Sequence, residues 1–311
     1  MYRGRISAKR IGLQTTIDLP ARAELLEGDV AIKVIEHFNE EGTESSAGST
    51  DIIEFNERSW EEEVRVMSEY RHRNLCCMLA VSLNIPLKAF VYEFCPGGDL
   101  HARIHTAKVQ LTWQHRLRLV AHLFRALEYL HCSSGKPVVH RDVKTLNVLI
   151  DADGQAKLAD FGTVRELSLG SGTRHQTHAS TRHVVGTRAY SAPEYINRGR
   201  VSHKLDSFSA GIVLAEVLTG KDPADHDLVE EIYAPVSDGD ERALHAVLDR
   251  RKGVGEWDLR RAMSAANLLS AVGRLARRPK YICAIRKLIE RLSLDALQGA
   301  QKELKKIAIC T

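Results

Sequence analysis

The chain has 311 residues, of which 44% are hydrophobic and 27% are charged, and its formal net charge is +4 at pH 7. This length and balance exclude a disordered or fibrous protein and predict one large globular domain, or two lobes with a substantial core. Because basic residues are interspersed with acidic ones, the small positive charge does not indicate a nucleic-acid partner.

The cysteines and the apolar segments indicate in which cellular compartment the protein is expected. The six cysteines lack the paired spacing of a zinc site and are too sparse for a secreted disulfide framework, which favours a reducing, intracellular compartment. The longest stretch without Asp, Glu, Lys or Arg covers residues 74–87, shorter than the roughly 20 apolar residues of a membrane helix. We expect a cytoplasmic chain, either by itself or as the intracellular part of a longer membrane-associated protein.

The predicted elements change in character along the chain. Residues 30–35 (VAIKVI) and 89–92 (AFVY) are rich in β-branched and aromatic residues and predict strands, whereas apolar residues at helical spacing predict a helix over 60–70. After the CPGG run at 95–98 the periodicity predicts helices over 117–131, 208–218 and 284–292. The pattern predicts a small strand-rich lobe, a connector and a larger helical lobe, with the cleft between them as the expected ligand site.

Three motifs in the second part carry chemistry. The run HRDVKTLN at 140–147 sets Asp142, Lys144 and Asn147 close together, LADFG provides Asp160, and GTRAYSAPE ends at Glu194. A carboxylate can orient an attacking hydroxyl, and an ammonium can neutralise a phosphoryl group. Carboxylate and amide oxygens suit Mg²⁺. One such motif would be weak evidence, but three in this order indicate phosphoryl transfer.

On these motifs, together with VYEFCPGGDL, LEYLH and VLTGKDP, the chain resembles the eukaryotic protein kinase domain. It is most similar to the tyrosine-kinase-like group, which includes Pelle, the interleukin-1-receptor-associated kinases and plant receptor-like kinases. The resemblance implies an α+β, bilobal kinase fold over residues 1–292, with an N-lobe to about residue 92, a hinge over about 93–98 and a C-lobe over about 99–292, and a helical tail over 293–311. It also implies a serine/threonine protein kinase of intracellular signalling that uses ATP and Mg²⁺ and phosphorylates a protein substrate.

The same resemblance assigns roles to individual residues. Asp142 would be the base or orienting group, Lys144 would neutralise the γ-phosphate, and Lys33 would contact the α- and β-phosphates. Counting from the RHRNL run gives Glu63 as the partner of Lys33, although a shift of one residue would give Glu62. The remaining ligand contacts would be Asn147 and Asp160 for Mg²⁺, and Ala31, Tyr92 as gatekeeper, Glu93 and Cys95 for the nucleotide.

Further residues would support or regulate this site. Thr187 resembles the threonine that bonds the catalytic Asp and Lys in serine/threonine kinases, and Asp206 resembles the residue that braces the catalytic loop. Glu194 and Arg278 resemble a buried ion pair.

The segment between Asp160 and Glu194 is rich in Ser and Thr. We hypothesise that phosphorylation at Ser180 or Thr181, by an upstream kinase or in trans, orders this segment through Arg141. Composition favours a flexible loop equally.

One element of the family pattern is missing from this sequence. The family places a glycine-rich loop, GxGxxGxV, directly before the strand that here begins with MYRG at residues 1–4. Two interpretations stay open: a truncated form of an active kinase, or a pseudokinase or scaffold with a kinase fold. The retained Lys33, Asp142, Asn147 and Asp160 favour the active kinase. The APE segment that ends at Glu194, together with Thr187, disfavours a small-molecule kinase.

Overall fold

The computed structural model describes residues 2–6, 28–35, 60–82, 88–132, 136–167, 179–180, 185–228, 230–232 and 240–266. Its N-terminal part is an antiparallel four-stranded sheet with the order β1-β2-β4-β3 and one helix, α1, over residues 60–69. The predicted strands of residues 30–35 and 89–92 and the predicted helix over 60–70 are confirmed. The strands are β1 (Tyr2–Ile6), β2 (Gly28–Ile35), β3 (Met78–Ser82) and β4 (Lys88–Glu93).

The pairing of β2 with β4 fixes the position of the strand lysine. Ala31 lies opposite Tyr92, and Lys33 lies opposite Phe90. Since side chains alternate along a strand, Ala31 and Lys33 share one face of β2. Helix α1 is tied to β4 through Trp60, whose ring stacks on Phe90 with 5.8 Å between centroids.

The inner face of α1 carries one carboxylate among apolar side chains. Val66, Met67 and Tyr70 are buried there, at the three- and four-residue spacing that places side chains on one face of a helix. Glu63 lies on the same face and is only 2% exposed. A buried carboxylate requires a partner, and the sheet supplies one.

The C-terminal part is mainly helical, and the predicted helices over 117–131 and 208–218 are confirmed. The predicted helix over 284–292 and the predicted tail over 293–311 lie outside the described residues. The main helices are α2 (Leu100–His105), α3 (Trp113–Cys132), α4 (Pro193–Arg198) and α5 (His203–Thr219), followed by helices at Glu241–Val247 and 259–266. Short strands form three antiparallel pairs: β5 (Val138–Val139) with β8 (Arg165–Glu166), β6 (Val148–Ile150) with β7 (Ala156–Leu158), and β9 (Ala179–Ser180) with β10 (Arg200–Val201).

Helix α5 is the central element of the helical part. Its side chains are buried on nearly every side, as the strongly apolar composition of residues 208–218 predicted. Beside it in α3, the guanidinium of Arg116 is fully buried and donates to the Asp249 carboxylate at 2.7 Å and to the backbone oxygen of Val217 at 3.1 Å. This pair ties the ends of α3 and α5 to the segment after helix Glu241–Val247. Among the described residues, no helix is both long and apolar enough to cross a membrane.

The C-terminal end of α5 depends on a glycine. Gly220 has φ 67° and donates its backbone N–H to the oxygen of Glu216 at 2.7 Å, so it occupies the left-handed cap position. A Cβ at Gly220 would also overlap the Asp249 carboxylate. Gly220→Ala is therefore expected to lower the free energy of unfolding by about 1–3 kcal/mol, measured by chemical denaturation.

The matched control is Gly154→Ala. Gly154 also has a positive φ, 71°, but a Cβ at this position would lie 3.5 Å from its nearest neighbour, His115 Nε2. This variant therefore introduces the backbone strain without the collision. Equal losses of stability in the two variants would contradict a role for the close approach to Asp249.

Candidate active site

The strand lysine, the helix carboxylate and the carboxylate of the LADFG motif meet at one point. The Nζ atom of Lys33 lies 3.1 Å from Glu63 Oε2 and 2.8 Å from Asp160 Oδ1. Burial by itself lowers the pKa of Lys33, but the two carboxylates outweigh it and raise the pKa above its ordinary value. Glu62 instead accepts from Arg65 at the surface, so the register that places Glu63 beside Lys33 is the one the structure contains.

The side chain of Tyr92 joins this cluster, a contact that the sequence did not predict. Tyr92 is 4% exposed, and its hydroxyl donates to Glu63 Oε1 at 2.5 Å. Burial, followed by the negative charge of Glu63, raises the pKa of Tyr92 well above its ordinary range, so the phenol stays a donor. Glu63 is thus held by two neighbouring strands, through the lysine of β2 and the tyrosine near the end of β4.

A second cluster surrounds Asp142. Its Oδ2 accepts from Lys144 Nζ at 2.8 Å, and its Oδ1 accepts from the backbone N–H of Thr187 at 2.9 Å and from the Thr187 hydroxyl at 3.0 Å. Lys144 Nζ also donates to the Thr187 hydroxyl at 2.8 Å. These bonds hold the Asp142 carboxylate in one orientation, since both oxygens are engaged.

The amide of Asn147 completes this cluster. Its Nδ2 donates to the backbone oxygen of Asp142 at 2.8 Å and to Asp142 Oδ2 at 3.1 Å. This leaves the amide oxygen as the atom that could coordinate a cation. Asp160, which has φ 64°, keeps a side chain that is 43% exposed although Lys33 binds it. Burial by itself raises the pKa of Asp160, but Lys33 lowers it below its ordinary value, so the carboxylate is charged.

The backbone before Asp142 is held by a buried carboxylate. Asp206, in the first turn of α5, accepts from the backbone N–H groups of His140 at 2.8 Å and Arg141 at 2.9 Å. Arg141 has φ 69°, a sparsely populated conformation for a residue with a side chain. Strained residues persist where the surroundings fix them, and Asp206 does so here.

The residues predicted to meet the nucleotide lie where β4 leaves the sheet. Ala31 and Cys95 are each 8% exposed. The Glu93 backbone N–H donates to the oxygen of Cys77 at 3.0 Å, and the Gly97 N–H donates to the oxygen of Ile150 at 2.9 Å. The connector is thereby tied to both the sheet and β6, and contacts with a nucleotide remain a prediction.

The residues predicted to regulate the site are only partly brought together. The Arg141 guanidinium donates to the backbone oxygens of Thr163 and Val164. Ser180 lies in β9, opposite Arg200 of β10. Thr181 lies outside the described residues, as do residues 168–178, so the phosphorylation hypothesis stays a prediction.

The surroundings of Glu194 differ from those expected from the sequence. It lies in the first turn of α4 and is exposed, whereas the resemblance implies a buried ion pair. A carboxylate in the first turn is favoured by the partial positive charge of a helix N-terminus, which requires no burial. Its predicted partner, Arg278, lies outside the described residues.

Comparison with known proteins identifies the class to which this fold and site belong. Residues 24–270 match the protein kinase domain family, so the chain belongs to that family. Protein kinases use ATP and a divalent metal and act on proteins.

Three plant kinases are similar to this chain, in agreement with the group of kinases that its sequence motifs resemble. Wall-associated receptor kinase-like 1 of Arabidopsis thaliana is 39% identical over 171 residues, 54% of this chain and 23% of the relative. Serine/threonine-protein kinase PBL34 of the same plant is 34% identical over 242 residues, 76% of this chain and 47% of the relative. Probable serine/threonine-protein kinase PBL2, also from Arabidopsis thaliana, is 35% identical over 217 residues, 68% of this chain and 49% of the relative. The chain thus spans from about a quarter to about half of the length of these relatives.

Proposed function

We propose that this chain is an ATP-dependent serine/threonine protein kinase in intracellular signalling. The observation that carries the proposal is the hydrogen-bonded group of Asp142, Lys144 and Thr187. It combines a fixed carboxylate with an ammonium, which are the groups that a phosphoryl transfer to a hydroxyl requires. Two relatives named as serine/threonine kinases support the choice of hydroxyl.

Each residue of the two clusters has a separate task in this proposal. Asp142 orients the substrate hydroxyl and accepts its proton at a carboxylate oxygen, while Lys144 neutralises charge on the phosphoryl group as it moves. Lys33 binds the α- and β-phosphates and is itself positioned by Glu63. The four hydrogen bonds to the Asp142 carboxylate reduce the reorganisation needed during the reaction.

The residues present fit a magnesium site. Asp160 is charged and partly exposed, and the fixed amide of Asn147 offers its oxygen, so these two residues would hold the ion. Mg²⁺ supplies positive charge that offsets the negative charge of the phosphate oxygens. The retained set of Lys33, Asp142, Asn147 and Asp160 supports catalysis over a scaffold that only binds partners.

The direct test is transfer of labelled γ-phosphate from ATP, with Mg²⁺, to the chain itself and to a generic basic protein. We expect label on phosphoserine and phosphothreonine after acid hydrolysis, and at least about 100-fold less label with Asp142→Asn. Folded protein that transfers no label, or that labels tyrosine alone, would contradict the proposal.

A second prediction concerns the contribution of the Thr187 hydroxyl to catalysis. Thr187→Val removes the group that bridges Lys144 and Asp142, and a hydrogen bond to a charged group is worth about 1.5–3 kcal/mol. We expect kcat to fall by about 10–100-fold. Thr187→Ser keeps the hydroxyl and is expected to stay within about threefold of the wild type, and a similar loss in both variants would contradict the role of the bridge.

Two further proposals concern the regulation of the site and the location of the chain. Phosphorylation at Ser180 or Thr181 would order the segment before Thr187 through Arg141, and it would be found by mapping phosphates after incubation with ATP. Absence of phosphate from residues 168–181 would exclude it. Among the described residues, Cys76, Cys77 and Cys95 are free thiols, which supports an intracellular, reducing location.

A further inference from the structure

Three side chains outside the Asp142 and Lys33 clusters converge between α2 and α5. His101 and His105 lie one turn apart on α2, and Glu216 faces them from α5. His101 Nδ1 is 3.4 Å from Glu216 Oε1, and His105 Nε2 is 2.8 Å from the same oxygen. The three candidate ligand atoms all lie within 4.8 Å of one another.

We propose that His101, His105 and Glu216 bind a divalent transition-metal ion, with Zn²⁺ as the best fit. Two imidazole nitrogens and one carboxylate oxygen are a common zinc donor set that leaves a further position for water. Bonds of about 2.0–2.2 Å in tetrahedral geometry place ligand atoms about 3.3–3.6 Å apart. The His101 and Glu216 atoms already have this separation, and His105 has to withdraw by roughly 0.5 Å to reach it.

The groups around Glu216 and His101 match those usually found around metal ligands. Ligating carboxylates are usually hydrogen-bonded, and ligating imidazoles usually face a carboxylate through their other nitrogen. Glu216 Oε2 accepts from the Tyr190 hydroxyl at 2.7 Å, and Glu216 Oε1 accepts from the Thr145 hydroxyl at 2.9 Å. His101 Nε2, the nitrogen that points away from Glu216, lies 3.9 Å from Asp222 Oδ2.

Charge balance favours a cation at this point. Glu216 is 0% exposed, and a buried carboxylate is costly unless its charge is compensated. In the described part of the chain the groups found around it are two hydroxyls, which carry no charge, and two imidazoles, which carry charge only when protonated. A divalent ion would supply the missing positive charge.

The ligand atoms and the solvent exposure of the site determine which metal ion is expected there. Two imidazoles favour Zn²⁺ over Mg²⁺ or Ca²⁺, which prefer oxygen ligands. The side chains of His101 and His105 are 25% and 17% exposed, so an ion can enter from the solvent side. The site is therefore chemically distinct from the oxygen ligands of Asp160 and Asn147.

The test is calorimetric titration of the full chain with Zn²⁺, in excess Mg²⁺ and without nucleotide. We expect one saturable ion, and binding at least about tenfold weaker in His101→Gln and in His105→Gln, because even the loss of a group behind a ligand costs about 10–100-fold. His245→Gln, on helix Glu241–Val247, removes a histidine away from this site and is expected to bind as the wild type does. Melting without metal checks that each variant is folded.

A measurement on the wild type keeps the test independent of the variants. X-ray absorption of the zinc-loaded chain is expected to show two imidazoles and otherwise oxygen ligands. A sulfur ligand, the absence of saturable Zn²⁺ uptake, or unchanged affinity in His101→Gln and His105→Gln would overturn the proposal. Since no readout depends on phosphoryl transfer, its failure is separate from that of the proposed kinase activity.

Discussion

Asp142→Asn is expected to reduce kcat for phosphoryl transfer by about 10²–10⁴-fold, the usual contribution of a positioned acid–base group. The substitution keeps the shape of the side chain but removes its negative charge and one acceptor oxygen. The ammonium of Lys144, 2.8 Å from Asp142 Oδ2, then loses its charged partner, and the substrate hydroxyl loses the group that receives its proton. Initial rates at saturating ATP and substrate measure the effect.

The matched control is Asp153→Asn, which makes the same chemical change at an exposed position in the turn between β6 and β7. We expect its kcat to equal that of the wild type. Melting curves of both variants separate a catalytic loss from a folding defect. Transfer by Asp142→Asn within a few-fold of the wild-type rate would show that Asp142 is not the acid–base group.

The sequence was sufficient for contacts that join motifs with strong local patterns. The contact of Lys33 with Glu63 joins β2 to α1, and it was predicted because the family resemblance supplies the role of each residue. The contact of Lys33 with Asp160 joins both parts of the chain and was not predicted, because the resemblance assigns Asp160 to the metal. Strands β2 and β4 were predictable because residues 30–35 and 89–92 are rich in β-branched and aromatic side chains. Strand β3, with the sequence MLAVS, lacks that enrichment and was not predicted.

The sequence was insufficient for contacts that only the tertiary structure creates. Nothing near Tyr92 in the sequence indicates that its hydroxyl reaches Glu63, 29 positions earlier. The buried pair of Arg116 and Asp249 joins residues 133 positions apart, and neither lies in a recognisable motif. Such pairs depend on how helices pack, which local periodicity does not specify.

Asp206 supports the loop before Asp142 by accepting hydrogen bonds from its backbone. Its carboxylate is fully buried and accepts from three donors: the backbone N–H groups of His140 and Arg141, and His131 Nε2 at 2.8 Å. Burial by itself raises the pKa of Asp206, but the hydrogen bond and charge of His131 outweigh it and lower the pKa below its ordinary value. The stabilisation from Asp206 is therefore present above the unfolded carboxyl pKa of about 3.9 and is lost as the pH falls through the lower folded value.

Asp206→Ala is accordingly expected to lower the free energy of unfolding by about 3–5 kcal/mol, because it leaves three buried donors without their acceptor. The strained backbone of Arg141 loses its support at the same time, so kcat should fall even in protein that remains folded. Asp225→Ala, at an exposed position after α5, is the control and is expected to change stability by less than about 0.5 kcal/mol. Urea denaturation at pH 7 measures both variants, and a loss for Asp206→Ala as small as that of the control would show that the loop before Asp142 holds its shape without this carboxylate.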